Sequence, residues 1–106
     1  MEQKPNARCA LTSVIENELD ILKRHIHVLE TLQEHQPMGI IKLSEYTGYP
    51  QHMVRYSLHI LEQENLIEPS SRGAVTTAKK DHIMQELALA LKNIAHISTN
   101  LLQKVQ

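Results

Sequence analysis

The sequence contains no phenylalanine and no tryptophan, and three tyrosines are its only large aromatic residues. A core without phenyl or indole rings must be built from Leu, Ile, Val and Met, which favours helices packed through aliphatic stripes. The chain has 106 residues, of which 42% are hydrophobic. This length suffices for one compact domain and is too short for two. We therefore expect a single, mainly α-helical domain over residues 1–106.

Cysteine and long apolar runs are scarce as well. Cys9 is the only cysteine, which excludes a disulfide framework and a cysteine metal cluster and fits a reducing compartment. No apolar run reaches the roughly 18 to 20 residues of a membrane-spanning helix. Residues 1–10 lack the apolar stretch of a signal peptide and are expected to be flexible. We therefore expect a cytoplasmic protein without a membrane partner.

The sequence also lacks the motifs of common catalytic sites. It has no glycine-rich phosphate loop, no nucleophile elbow and no helical His-Glu metal motif, so we expect neither an enzyme nor a cofactor. Its seven histidines include no pair at ligand spacing on one helix. His25 and His27 face different directions, while His82 and His96 lie about 21 Å apart along a helix. We therefore expect no metal site.

A long amphipathic helix is predicted over residues 11–36. Its apolar residues recur at steps of three and four, with charged residues on the other face. Ser13 precedes Glu16 by three residues, which predicts a cap at Thr12 or Ser13, and Pro37 is expected to end the helix at Gln36. The apolar stripe consists of Leu11, Val14, Ile15, Leu19, Leu22, Ile26, Leu29 and Leu32.

A second long helix, of coiled-coil character, is predicted over residues 78–105, with Thr76 or Thr77 as its cap. The heptad seam of this helix is formed by Ile83, Leu87, Ala90, Ile94, Ile97 and Leu101. The two long stripes carry more apolar surface than the short central segment can cover, which predicts a homodimer. The expected interface residues are Leu22, Ile26, Leu87, Leu91, Ile94 and Leu101.

The central segment, residues 38–77, predicts two short helices around Gly48 and then a β-hairpin. On a helical wheel, residues 51–64 separate an apolar arc from a polar one. The apolar arc contains Met53, Val54, Ser57, Leu58, Ile60 and Leu61, and the polar arc contains His52, Arg55, Tyr56, His59 and Gln63. Asn65 is expected to stop the helix, Pro69 limits the first strand to a sheet edge, and residues 70–73 form the turn.

This central pattern resembles the winged helix-turn-helix of small prokaryotic transcriptional regulators of the ArsR and MarR type. The residues that match are Leu43, Ser44, Gly48, Tyr49, Val54 and Leu58. The resemblance implies a mainly α fold with a small β-hairpin wing, flanked by N- and C-terminal dimerisation helices. It also implies a homodimer on double-stranded DNA, with residues 51–64 in the major groove. The operator and the effector do not follow from it.

The resemblance implies specific DNA contacts. Arg55 is suited to bind guanine and Gln51 to bind adenine, while Arg72 at the hairpin tip would contact phosphate or the minor groove. The residues that would contact the DNA backbone, and so set register without reading sequence, are Ser70, Ser71, Gly73 and Lys42. The full set of expected DNA-binding residues is Lys42, Gln51, His52, Arg55, Tyr56, His59, Ser71 and Arg72.

Charge leaves a second interpretation open, because the whole chain has a net charge of -1 at pH 7. Residues 38–77 contain four glutamates and three positively charged residues, so this segment has a net charge of -1 and is not basic. Winged helices also serve as protein-docking modules. The cations are Lys42, Arg55 and Arg72, and the glutamates are Glu45, Glu62, Glu64 and Glu68. A DNA-binding face requires those glutamates to point away from it.

Overall fold

The computed structural model describes residues 9–106. Residues 1–8, which make up most of the segment expected to be flexible, lie outside the described residues. The described part contains four helices and one antiparallel hairpin. In chain order these are α1 (Ser13–His35), α2 (Ile40–Thr47), α3 (Gln51–Gln63), β1 (Ile67–Ser70), β2 (Gly73–Thr76) and α4 (Lys80–Val105). The predicted mainly α architecture with a small β-hairpin is confirmed.

The start of α1 differs from the prediction, whereas its end agrees. Thr12 is the N-cap residue, as predicted, but neither predicted side chain caps the helix: Ser13 is the first helical residue, and its hydroxyl donates back to the Ala10 carbonyl at 3.1 Å. The Thr12 hydroxyl donates instead to the Glu16 carboxylate at 2.7 Å. At the other end, Gln36 is extended with ψ of 149°, because the following Pro37 disfavours the helical conformation.

The core lies between the C-terminal half of α1, the helices α2 and α3, and the start of the hairpin. Every buried apolar side chain in it is aliphatic, as the absence of Phe and Trp predicts. These residues are Val28, Leu29, Leu32, Met38, Leu43, Val54, Leu61, Leu66 and Ile67. One polar residue, Ser57 of α3, is also fully buried.

The turn between α2 and α3 depends on Gly48. This residue has a φ of 81°, in the left-handed region that favours glycine, and its amide donates to the Ser44 carbonyl at 2.9 Å. The Ser44 hydroxyl crosses the turn and donates to the Tyr49 carbonyl at 2.6 Å. After α3, Asn65 adopts a φ of 66°, which confirms it as the stop. The turn and the stop fix the length and direction of α3.

The hairpin is held on both sides of β2. Strand β1 pairs with β2 in antiparallel register from Ile67 opposite Thr76 to Ser70 opposite Gly73. On the other side of β2, Met38 forms an isolated bridge with Ala74, with N–H···O distances of 3.3 and 2.8 Å. Strand β1 is therefore at the edge, as its proline predicts.

Helix α4 leaves the core as it proceeds. The predicted cap at Thr76 or Thr77 is wrong in position, because a turn at residues 78–79 precedes α4 and Lys79 is its N-cap residue. The Thr77 hydroxyl accepts the Lys79 amide at 3.2 Å within this turn. Ile83 and Met84 pack against the core, but every residue from 92 to 106 is exposed. Among the described residues, no helix combines the length and the apolar character that crossing a membrane requires.

Candidate nucleic-acid interface

Helix α3 presents one polar face to solvent. Val54, Ser57 and Leu61 are buried on its inner side, so the predicted division of this helix into two faces is confirmed. The outer side carries side chains that are all exposed and are all able to donate hydrogen bonds, given the appropriate histidine tautomer or charge state. These are Gln51, His52, Arg55, Tyr56 and His59.

The N-terminus of α3 is also suited to an anion. Its N-cap residue is Pro50, and no side chain within residues 9–106 caps the helix. The Pro50 carbonyl accepts the amides of Met53 and Val54, at 3.0 and 3.1 Å. The first backbone amides of α3 lie at the positive end of the helix dipole, where a phosphate is favoured. The exposed face thus has a positive backbone end next to its only arginine, Arg55.

The other end of the same face is acidic. Glu62 follows Arg55 by seven residues, which places it on the same side of the helix about two turns, or about 10.5 Å, further along. Glu62, Glu64 and Glu68 are all exposed. The expectation that the glutamates point away from the face is therefore wrong for Glu62, because a seven-residue spacing returns it to the Arg55 side. The face is positive over the first two turns of α3 only.

Two further groups of predicted contact residues flank α3. At the hairpin tip, Ser71 and Arg72 are exposed. Ser70 is used internally, since its hydroxyl donates to the Gly73 carbonyl and accepts the Arg72 amide at 3.3 Å. Lys42 is exposed on α2. The hairpin tip therefore offers one exposed cationic side chain on a turn that is ordered by its own hydrogen bonds.

A polar contact that sequence reasoning missed lies behind the face. The buried Ser57 hydroxyl lies 3.0 Å from Nε of Arg24 and 2.8 Å from Nδ1 of His25, both on α1. The Arg24 guanidinium carbon and the His25 ring centre each lie 5.8 Å from the centre of the Tyr56 ring. Burial lowers the pKa of His25, and the positive charge of Arg24 lowers this pKa further.

The other two tyrosines also contact α1 histidines. The ring centres of His27 and Tyr49 lie 5.5 Å apart, and those of His35 and Tyr46 lie 4.7 Å apart. These contacts tie α1 to α2 and to the glycine turn. Within residues 9–106, no group of three or more His, Cys, Asp or Glu side chains is arranged to hold a metal ion.

An apolar groove lies between α1 and α4. It has a volume of about 370 Å³ and is lined mainly by Leu19, Leu22, Ile26 and Leu91. Of the six predicted interface residues, four are half-buried within the protomer, whereas Ile94 and Leu101 are 42% and 55% exposed. The four are Leu22, Ile26, Leu87 and Leu91.

No protein-family model matches the chain, and no curated protein matches it.

Proposed function

We propose that this protein is a winged helix-turn-helix transcriptional regulator, similar to the ArsR and MarR type, that binds double-stranded DNA as a homodimer. In this proposal α2, Gly48 and α3 form the helix-turn-helix, and the β1–β2 hairpin is the wing. Helix α3 lies in the major groove, and each protomer reads one half-site about one helical turn of DNA from the other.

The observation that carries the proposal is the exposed face of α3. Gly48, in the left-handed conformation, ends α2 and allows α3 to begin three residues later at Gln51. Val54 and Leu61 are buried on the inner side of α3. The first two turns of α3 then project Gln51 and Arg55 into solvent. These are the side chains that make bidentate contacts with adenine and guanine, each worth about 1 to 3 kcal/mol of discrimination.

The groups around α3 suit the DNA backbone. The exposed Arg72 and Ser71 at the hairpin tip, together with Lys42 on α2, supply phosphate or minor-groove contacts. The uncapped amides at the start of α3 add a further phosphate position. Because these groups are few, the proposal predicts a modest electrostatic contribution to binding.

The homodimer is supported by apolar surface that the protomer does not cover. Leu11, Val14 and Ile15 near the start of α1 are 91%, 72% and 56% exposed. On α4, Ile97 and Leu102 are 49% and 53% exposed. A second copy packed against these two helices would remove this surface from water, which is the dominant favourable term in most associations.

Charge on the two long helices supports the same pairing. The first turns of α1 carry Glu16, Glu18 and Asp20, whereas α4 beyond Glu86 carries Lys92 and Lys104 and no acidic residue. The α4 helix starts beside the C-terminal end of α1, where Thr76 bonds Gln36, and Leu91 reaches the groove beside Leu22. The two helices therefore run antiparallel and bring the acidic and basic ends to the same side of the molecule.

One observation favours a second candidate function, a winged-helix module that docks on a protein without binding DNA. Glu62 lies on the same side of α3 as Arg55, so this face carries charges of both signs. A mixed face resembles the polar rim of a protein interface, whereas duplex DNA repels its acidic end. The two functions differ in what Arg55 binds.

The experiment is selection of a duplex from random DNA by the purified protein, followed by fluorescence anisotropy. Arg55→Ala is expected to cost about 1 to 3 kcal/mol on the selected site and to relax one base position. Arg72→Ala is expected to weaken all sequences alike. Lys79→Ala, which removes one exposed positive charge just before α4 and outside the predicted contact residues, is the matched control and should bind as the wild type does.

Two results would reject the DNA proposal. One is that no duplex competes better than random DNA. The other is that Arg55→Ala and Lys79→Ala bind equally well. In either case the protein-docking function becomes the better account of the α3 face.

A further inference from the structure

A buried polar contact joins α1 to α3 directly behind the exposed face. Ser57 is completely buried, and its hydroxyl lies 3.0 Å from Arg24 Nε and 2.8 Å from His25 Nδ1. The guanidinium N–H of Arg24 can act only as a donor, and it donates to the Ser57 oxygen. The His25 Nδ1 atom can accept the Ser57 proton only in the neutral ring with the proton on Nε2.

We propose that this contact holds α3 firmly against α1 only while His25 is neutral, so that weak acid loosens α3 and makes the presentation of its outer face pH-dependent. The contact itself is independent of what α3 binds. Its consequence for DNA rests on the proposed function.

Protonation of His25 disrupts the contact in two ways. A protonated Nδ1 is a donor, so it no longer accepts the Ser57 proton, and the Ser57 oxygen then faces two positively charged donors. The imidazolium also stands beside the Arg24 guanidinium, which is the like charge next to it on α1. Both effects act in a partly buried site, where water screens them poorly.

The described residues that flank His25 on α1 and face it from α3 carry no negative charge. The α1 residues one turn away on either side are apolar, namely Ile21, Leu22, Val28 and Leu29. From α3, the group that faces the ring is the Tyr56 phenol, with His52 and His59 one turn to either side of it. None of these groups is an acid that would stabilise a protonated His25.

The sign of the effect on stability follows from the His25 pKa. Burial, and then the Arg24 charge, lower this pKa from 6.5 in the folded protein. The unfolded chain therefore binds the proton at a higher pH than the folded one does. The stabilisation that comes from keeping His25 neutral is fully present above about pH 7 and falls as the pH drops through 6.5. It levels off below the lowered pKa.

Protonation of His25 is expected to change DNA affinity in the opposite direction to protonation of the histidines on the outer face of α3. Protonated His52 and His59 would attract phosphate and raise affinity in acid, whereas protonated His25 would loosen the helix that carries them. If the proposed function holds, the wild type gains little affinity on acidification, and a variant with a non-titrating residue at position 25 gains more.

The test compares His25→Asn with the wild type by urea unfolding of the intact protein at about pH 7.5 and about pH 5.5. The Asn Oδ1 atom takes the place of Nδ1 and accepts the Ser57 proton, but it does not titrate. The wild-type folding constant is expected to fall several-fold more on acidification than that of His25→Asn. His27→Asn, the same change at an exposed ring on α1, should keep the wild-type pH dependence.

A second measurement applies even where the variant folds poorly. In an NMR titration of the wild type, the His25 ring and the α3 amides around Ser57 are expected to shift together, with a midpoint below pH 6.5. Equal pH dependence in wild type and His25→Asn overturns the proposal, and so does a His25 titration that leaves the α3 amides unmoved. Both readouts need no DNA, so a failure of DNA binding removes only the consequence for affinity.

Discussion

At Gly73, the hairpin backbone passes against the chain segment that leads into α2. Gly73 has a φ of 128°, and a Cβ placed there would lie 2.5 Å from the Met38 carbonyl carbon and 2.9 Å from the Gly39 nitrogen. These neighbours are backbone atoms that hold the Met38–Ala74 bridge, so no side-chain rotation relieves the contact. Glycine is therefore required for both its conformational freedom and its size.

Replacing Gly73 by alanine is expected to destabilise the protein by about 1 to 3 kcal/mol or more, since backbone strain adds to the steric clash. Urea unfolding monitored by circular dichroism measures the loss. Gly39→Ala is the matched control, because Gly39 has a φ of -97° and a Cβ there meets no atom within 4 Å. Equal stability of the two variants would show that the hairpin does not depend on this close approach.

Single residues were predictable from the sequence where their role is local. Gly48 and Asn65 were expected at a turn and at a helix stop, and both adopt positive φ. The roles of Gly73 and Ser57 depend on residues more than 30 positions away, so local patterns could not reveal them. A serine on the apolar arc of α3 did signal that a partner was required, because buried hydroxyls are hydrogen-bonded. That signal did not identify Arg24 and His25.

At the scale of elements, hydrophobic periodicity predicted all four helices and the hairpin to within a few residues. Helix α4 was expected over 78–105 and spans Lys80–Val105. The period of 3.6 is set by backbone geometry, so it survives any tertiary arrangement. The geometry of a helix cap does depend on the tertiary arrangement. In α1, a turn at residues 10–12 precedes the helix and makes Ser13 its first residue.

The charge gradient along α3 leads to a prediction about salt. Few cations are available on α2, α3 and the hairpin, so the salt dependence of DNA affinity is expected to be shallow, at about 3 to 6 phosphate contacts per dimer. Glu62→Gln should raise affinity at low salt, because it removes a negative charge from the Arg55 side of the helix, and the gain should narrow as salt rises. Anisotropy titrations at several salt concentrations measure both.

Glu64→Gln provides the control for that measurement, since Glu64 is the C-cap residue and lies off the Arg55 side of α3. An affinity gain of equal size in both variants would mean that only the net charge matters. In that case Glu62 is not close to the DNA, and the docking of α3 proposed above is incorrect.

At the scale of the whole molecule, the described chain is elongated. Its radius of gyration is 16.1 Å and its extents are 53 × 30 × 25 Å. A compact domain of about 100 residues has a radius of gyration of about 13 Å. The difference arises because α4 continues past the core, so that residues 92–106 are exposed on all sides. A helix with an apolar seam and no neighbour is unfavourable in water unless another copy covers it.

Light scattering at micromolar concentration is therefore expected to give twice the protomer mass of 12.1 kDa. Ile97→Glu combined with Leu101→Glu should give the protomer mass, because both side chains lie on the seam and are about half exposed in the protomer. Leu89→Glu is the control: Leu89 is 67% exposed and lies off the seam, so its variant should remain dimeric. A wild type of protomer mass would contradict the homodimer.

The hydrogen bonds between Gln36 and Thr76 determine whether residues 36–76 can be moved into another protein as a unit. The Gln36 side-chain oxygen accepts the Thr76 amide at 2.7 Å, although the two residues are 40 positions apart. Residues 36–76 therefore begin and end at one point, which is the geometry that tolerates insertion into a loop of an unrelated host protein. Their core, however, includes Val28, Leu29 and Leu32 of α1. A portable unit must consequently carry the second half of α1 with it, and the natural site for a splice lies upstream of Val28.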